Sequence, residues 1–160
     1  MKSKTRSNKP SSQVISNRRA SFDYELGEPL TVGLELTGRE VRAARTGKVQ
    51  LKGSFVSVRD NQLWLNNASF SIILNQRGET DRTVDTTARR ILARRKQIDQ
   101  LIDGKKQGTT IVPLRLLTQG KYIKLVISPG KGKKSYDKRQ SIKKRDTDRS
   151  IKKISSNRYM

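Results

Sequence analysis

Between Phe22 and Gly130 the apolar residues recur at two spacings, every second position in several short runs and helical spacing in two others. In FDYELGEPLTVGLELTG, which begins at Phe22, Val32, Leu34 and Leu36 fall on one face of a strand that Gly38 ends. REVRAARTGK follows with Val41, Ala44 and Arg45 at helical spacing and Gly47 as a stop. It predicts a short helix with Arg39, Arg42 and Arg45 along one side. GSFVSVRDNQLWLNN predicts two strands joined at Asp60 and Asn61, residues that tolerate the positive φ of a tight hairpin. Ala68 to Thr87 lacks a clear period, and a long loop is expected around NQRGETDRT.

Ile91, Ile98, Leu101 and Ile102 form one helical stripe, which predicts a helix from about Arg94 stopped by Gly104 or Gly108; ARRILA just before it reads equally as a strand. TTIVPLRLLTQGKYIKLVIS predicts a second hairpin turning at Gln119 to Lys121, with Pro113 on an edge or at a bulge. No segment repeats. Short antiparallel strands with two helices give a mainly β fold that fits a small oligonucleotide-binding-type β-barrel with two to three flanking helices. Strand count alone does not choose it over other small β-rich folds.

The two ends of the chain follow neither pattern. Residues 1 to 16 are rich in Ser, Lys, Asn and Pro, cannot bury enough apolar surface to offset chain entropy, and are expected to be disordered. With 160 residues the chain has room for one domain, so the expected division is a basic N-terminal tail 1–16, a barrel domain 17–130 and a basic C-terminal tail 131–160. Charge sharpens this division. Met1 to Arg19 holds six cations and no acid, and Lys131 to Met160 twelve cations and three acids, whereas Ala20 to Gly130 holds eighteen and eleven. Most of the net charge of +22 therefore sits on the tails, and its natural counterpart is a polyanion.

Candidate chemistry narrows by elimination. The sequence has no Cys and no His, which removes disulfides, thiolate ligands and the usual zinc donors; no metal and no cofactor is expected. A nuclease would need carboxylates holding Mg²⁺, and the candidates are Asp81 with Asp85 and Asp99 with Asp103. Each pair is surrounded by Lys or Arg, so solvated acids are the favoured reading and no enzyme is expected. GKGKKS resembles a phosphate-binding loop superficially, but Gly132-Lys133 is followed by Lys134, so the spacing fails. No apolar run is long enough to span a bilayer and the N-terminus shows no signal core, so the expected location is the cytoplasm.

The eight aromatics divide by context. Phe55, Trp64 and Phe70 lie in or beside apolar strands and read as core. Phe22 and Tyr24 stand beside NRRAS and could pack or stack. Tyr136 lies in KGKKSYDKR, whose residues cannot build a core around it; it is either an incidental exposed ring or a stacking platform flanked by phosphate-binding cations. Beyond it, DKRQSIKKRDTDRSIKKI has good helix formers, and Asp148 can pair with Lys144 and Lys152. Its large apolar residues are Ile142, Ile151 and Ile154, too few for a packed stripe, which fits a tail that becomes helical against RNA.

In order along the chain, NRRASFDY at Asn17, LTGREVRAARTGK at Leu36, GSFVSV at Gly53, TIVPL at Thr110, KGKKSYDKR at Lys131 and IKKRD at Ile142 resemble the small protein B family, the SsrA-binding proteins of bacterial trans-translation. The resemblance implies a six-to-eight-stranded oligonucleotide-binding barrel that grips the tRNA-like domain of transfer-messenger RNA and fills the place of its missing anticodon arm. It also implies a tail that enters the empty messenger channel of a stalled ribosome, with an aromatic near the decoding bases. By position, Asn17 and Lys124 match RNA-contacting residues; with Arg18, Phe22, Glu40, Arg42, Arg45 and Lys48 they form the candidate RNA-binding set. A cap or a structural salt bridge is an equal reading of Glu40. Lys131, Gly132, Lys133, Lys134, Tyr136, Asp137, Lys138 and Arg139 match the decoding-site motif. The expected partners are transfer-messenger RNA and the small-subunit decoding centre, engaged by a monomer; the rival is a general basic ribosome-associated or RNA-coating protein. The sequence departs from the family at Phe22, where His is usual, at Thr31, where an acid is common, and in TTARRILA, which replaces a more regular basic-apolar strand.

Overall fold

In the computed structural model, residues 14–76, 79–106, 108–134, 136, 147, 148, 150 and 151 are described. The chain runs β1 (Val14–Ser16), α1 (Ala20–Asp23), β2 (Tyr24–Leu26), β3 (Leu30–Leu34), α2 (Gly38–Arg45), β4 (Val49–Gln50), β5 (Phe55–Arg59) and β6 (Gln62–Asn66). It continues through β7 (Ser69–Gln76), β8 (Glu79–Asp85), β9 (Arg89–Leu92), α3 (Arg95–Lys106), β10 (Thr110–Leu117) and β11 (Lys124–Gly132).

Eight strands form one sheet in the order β1-β10-β5-β6-β9-β3-β11-β2, and a further pairing of β10 with β11 closes six of them into a barrel. Closure follows from the length of β10 and β11, because each pairs with one partner along part of its edge and another beyond it. β10 meets β5 at Ile111 and β1 at Arg115 to Leu117. β11 meets β3 from Lys124 to Ile127 and β2 from Gly130 to Gly132. Alternation places Val32, Leu34, Val56, Leu63, Leu65, Ile91, Ile111, Leu116, Leu125 and Ile127 in the shared core. A second sheet, β4-β7-β8, packs through β7 against α2.

Several sequence expectations hold in detail. The β5–β6 turn carries Asp60 at φ 49° and Asn61 at φ 55°, the conformation a two-residue hairpin loop requires. Pro113 sits at a shift of register between Pro113 and Arg115 in the β10–β11 ladder, where its missing N–H costs no hydrogen bond. Gly108, not Gly104, adopts positive φ just beyond α3.

Others are corrected. The single strand expected from Phe22 to Leu36 is a four-residue helix and two strands, β2 and β3, separated at Gly27 to Pro29, and Gly38 begins α2 rather than ending a strand. Ala68 to Thr87 is mostly a β-hairpin, with β7 and β8 paired from Phe70↔Asp85 to Gln76↔Glu79. Its second strand, ETDRTVD, is almost wholly polar, so hydrophobic period gives no signal and backbone pairing defines it. Ile91 belongs to β9, leaving Ile98, Leu101 and Ile102 as the stripe of α3. Phe70 is fully buried as expected, but Phe55 is 45% exposed and Trp64 half-buried, since Val56, Leu63 and Leu65 take the inward face of their strands. The ordered sheet also passes both expected domain limits: Val14–Ser16 pair with β10, and β11 runs to Gly132. The expectation for residues 1 to 13 lies outside the described residues, as do Asp137, Lys138 and Arg139.

Candidate RNA interface

The nine residues of β11 span about 26 Å between Lys124 and Lys131 or Gly132 at their far ends. That separation organises the candidate residues into two groups. At the Lys124 end stands α2. Its N-terminus is fixed by Glu40, whose carboxylate accepts hydrogen bonds from the Thr37 N–H at 2.6 Å and the Thr37 hydroxyl at 2.9 Å. Ala43 and Ala44 face inward, which turns Arg39 and Arg42 outward, while Arg45 is half-buried. Arg39, Arg42, Thr46, Lys48 and Ser71 border a cavity of about 450 Å³ against β7. Three cations around one concavity suit a phosphate. Arg45 turns the other way: its Nη2 donates to Gly120 O and Lys121 O, each at 3.4 Å, in the β10–β11 turn. Beside that turn Tyr122 is 68% exposed, with Lys121 Nζ 5.5 Å from its ring centroid, and Lys124 is exposed two residues on.

Asn17 sits beside the Pro113 bulge, level with the middle of β11, and α1 follows it at the Gly132 end. The Asn17 backbone N–H donates to Leu114 O at 2.7 Å, and its side-chain Nδ2 donates to Pro113 O at 3.0 Å. Asn17 thereby satisfies carbonyls that the Pro113 bulge takes out of the ladder. Arg18 is exposed and Phe22 half-buried. The base of the C-terminal segment is tied to this end. Lys131 and Gly132 pair with Glu25 and Tyr24, the Lys133 N–H donates to Asp23 O at 2.9 Å, and Lys133 Nζ donates to Ser21 O at 2.8 Å. A cation on the last carbonyls of a short helix is favourably placed. Of the decoding-motif set, then, Lys131 and Gly132 are strand, Lys133 braces α1, Lys134 is exposed, and Tyr136 is 57% exposed.

Glu40 does not join the outward-facing residues. Its side chain is 7% exposed and lies 2.6 Å from Arg89 Nε, whose own side chain is 3% exposed. Arg89 also donates to the carbonyls of Ala68, Thr87 and Asp85, pairs with the Asp85 carboxylate at 3.3 Å, and lies 3.9 Å over the Phe70 ring. This network fastens α2, the second sheet and β9 together. The Thr87 backbone N–H holds the Asp85 carboxyl below its ordinary value of 3.8, with the Thr87 hydroxyl and the Arg89 charge assisting and burial opposing. Nothing in the residue pattern marks Arg89, one of many cations, as buried.

Among the described residues no three His, Cys, Asp or Glu side chains converge as a metal site would need, and Asp99 is paired with Arg95 at 3.2 Å. No helix of the described residues is long and apolar enough to cross a membrane. The arrangement is therefore a barrel with cations and exposed rings at both ends of one long strand.

The family model for the SmpB protein matches residues 14–157. The chain belongs to the SmpB family. It is similar to SsrA-binding proteins of Oenococcus oeni, 39% identical over 141 residues that cover 86% of this chain and 88% of the relative, and of Lysinibacillus sphaericus, 36% identical over 155 residues covering 94% and 99%. It is 40% identical to that of Prochlorococcus marinus over 140 residues, covering 87% and 84%. A solved structure described as "tmRNA-SmpB: a journey to the center of the bacterial ribosome" aligns with a TM-score of 0.59 and 32% identity over 76% of this chain and 85% of its own. The resemblance found in the sequence motifs and the family match thus cover the same span, barrel and C-terminal segment together.

Proposed function

We propose that the protein binds the tRNA-like domain of transfer-messenger RNA through its barrel and delivers it to stalled ribosomes for trans-translation, its C-terminal tail occupying the vacant decoding site and messenger channel. The observation that carries this reading is the family match across residues 14–157, which takes in barrel and tail as one unit. In this reading Asn17, Arg18, Phe22, Arg42, Arg45, Lys48 and Lys124 contact RNA, while Glu40 shapes α2 from within. Residues 131–160 form the tail: its base is the strand end at Lys131 and Gly132, and from Lys134 on it becomes helical on the ribosome. Tyr136 stacks near the decoding bases, and Asp137, Lys138 and Arg139 complete the motif.

The family is one of RNA-binding proteins, and we infer that this member performs no chemistry of its own. Asp85 and Asp99, two of the acids a Mg²⁺-dependent nuclease would use, are each engaged by an arginine. The protein acts in the cytoplasm, as a monomer and without a cofactor.

The test is a reconstituted reaction: stalled ribosomes, aminoacylated transfer-messenger RNA and the purified protein, read as peptidyl transfer to the tRNA-like end. Transfer that depends on the protein supports the reading. No dependence, together with recovery from cells of a broad sample of RNAs rather than one structured species, would favour a general coating protein instead. Turnover of RNA with Mg²⁺ that is abolished by Asp99→Asn would overturn the absence of catalysis.

A further inference from the structure

β10 is flanked by β1 on one edge and β11 on the other, with Leu117 opposite both Val14 and Lys124. Val14 thus stands two strand spacings, about 10 Å, from Lys124. The chain enters the sheet at Val14, so the residues before it approach from the end of the barrel that carries Lys121, Tyr122 and Lys124. The C-terminal segment leaves β11 at Gly132, about 26 Å away at the opposite end. The two basic ends of the chain therefore depart from opposite poles of the barrel.

Residues 1–13 hold Lys2, Lys4, Arg6 and Lys9 and no acid. Such a segment gains little by folding back on the barrel end it adjoins. Lys121 and Lys124 are exposed there, and Arg45 donates to the Gly120 and Lys121 carbonyls. Glu35, an exposed acid two residues beyond the Gly33↔Lys124 pair, is already engaged by Arg90 at 4.0 Å. Like charges on segment and barrel repel, and a polyanion lying between them turns that repulsion into two attractions. The reach is sufficient: Lys9 is five residues from Val14 and Lys2 twelve, which allows about 18 and 43 Å of extended chain. An RNA docked at Lys124 therefore lies within range of all four cations, which meet it at a high effective concentration.

We propose that residues 1–13 act as a basic arm that closes on phosphates of the tRNA-like RNA held at the Lys124 end, through Lys2, Lys4, Arg6 and Lys9, while the C-terminal tail serves the ribosome from the other pole. This rests on the RNA-binding reading above and adds a segment outside the barrel to the RNA contacts. The arm recognises phosphate charge and carries no base preference.

The experiment titrates the full-length protein with the isolated tRNA-like domain at several salt concentrations. Changing Lys2, Lys4, Arg6 and Lys9 together to Gln should lower the magnitude of the slope of log affinity against log salt by about 1.4 to 3.6, the contribution of two to four phosphates. The comparator removes the same charge from the tail that leaves the other pole. Lys143, Lys144, Lys152 and Lys153 changed to Gln should move the slope by less than about 0.7, the contribution of one phosphate. Position is read independently by Arg6→Cys carrying a photo-crosslinker in this cysteine-free chain, which should label the tRNA-like domain both alone and on the stalled ribosome. Thermal melts of both charge variants, expected to match wild type, separate loss of contacts from loss of fold, and the crosslink carries the test if the arm variant does not fold. An unchanged slope in the arm variant, an equal change in both variants, or crosslinks to ribosomal RNA alone overturns the arm and leaves the RNA-binding reading standing. Failure of the wild-type protein to bind this RNA overturns both.

Discussion

Replacing Glu40 with Ala should unfold the protein far more readily without touching the surface that meets RNA. The carboxylate is the buried partner of Arg89, at 2.6 Å with both side chains under a tenth exposed. Removing one member of a buried pair leaves the other charge uncompensated, at a cost of about 3 to 5 kcal/mol. Glu40 also accepts the Thr37 N–H at the start of α2, and losing that bond adds about 1 kcal/mol. A total of about 4 to 6 kcal/mol is a large part of the roughly 5 to 15 kcal/mol that holds a domain of this size.

Urea denaturation measures this directly, with the single tryptophan, the half-buried Trp64, as reporter. At a slope of about 2 kcal/mol per molar urea, the midpoint should fall by about 2 to 3 M. A double variant, Glu40→Met with Arg89→Met, should recover most of the loss, because an apolar pair of similar volume avoids the desolvation of both ions. A midpoint shift equivalent to less than about 1 kcal/mol would refute the argument. So would weakened RNA binding by a Glu40→Ala protein of unchanged midpoint, which would return Glu40 to the interface.

Asp85 gives a pH signature: its folded carboxyl titrates below 3.8, so its ionised form stabilises the protein above that value and the contribution is lost as pH falls through the lower folded value. Asp85→Asn should therefore destabilise at pH 7, and the gap to wild type in urea midpoint should close as the pH is lowered from about 5 to below 3; a gap independent of pH contradicts this. Lys133→Met should leave the barrel melt unchanged but loosen the tail base. Spin labels on cysteines placed on β10 and at position 136 of this cysteine-free chain should then report a broader distance distribution, and an unchanged one would remove Lys133 as a brace. Changing Tyr136, Asp137, Lys138 and Arg139 together to Ala should preserve RNA affinity and sharply reduce peptidyl transfer on stalled ribosomes, whereas parallel loss of both would deny the division between barrel and tail.

The sequence revealed the elements whose packing leaves a regular trace. The β5–β6 hairpin has alternation on both strands and Asp-Asn at its turn, α2 has Arg39 and Arg42 outward and two alanines inward, and β10 and β11 carry long apolar alternations. It did not reveal β8, whose polar residues have no apolar face to display, or α1, whose four residues make little more than one turn. Burial was legible where a face is uniform and misread at strand ends, where a ring such as Phe55 has no following turn to cover it. The candidate cations on α2 were legible because helical spacing sorts them. The inward arginine of β9 was not, because its neighbour Arg90 has the same chemistry and points out, and only the register Leu63↔Ile91 and Leu65↔Arg89 separates them. The bond of Lys133 to α1 was not legible for a related reason: a cation in a basic run shows nothing of a helix 112 residues earlier in the chain to which it is bonded.

That bond changes how the tail should be pictured. A basic segment hanging from a flexible joint would search a large volume, and its aromatic would reach the decoding bases by chance. Here the strand pairing of Gly132 with Tyr24 and the two hydrogen bonds of Lys133 fix the chain to the barrel up to residue 133. Tyr136 is three residues on, and three residues reach at most about 11 Å when fully extended. Once the barrel is docked, the ring is confined to a short arc around the clamp, and its effective concentration at any site within that arc is correspondingly high. The barrel thus sets both what the protein holds and where its tail begins. β11 carries both Lys124, at its start, and the clamp, at its finish.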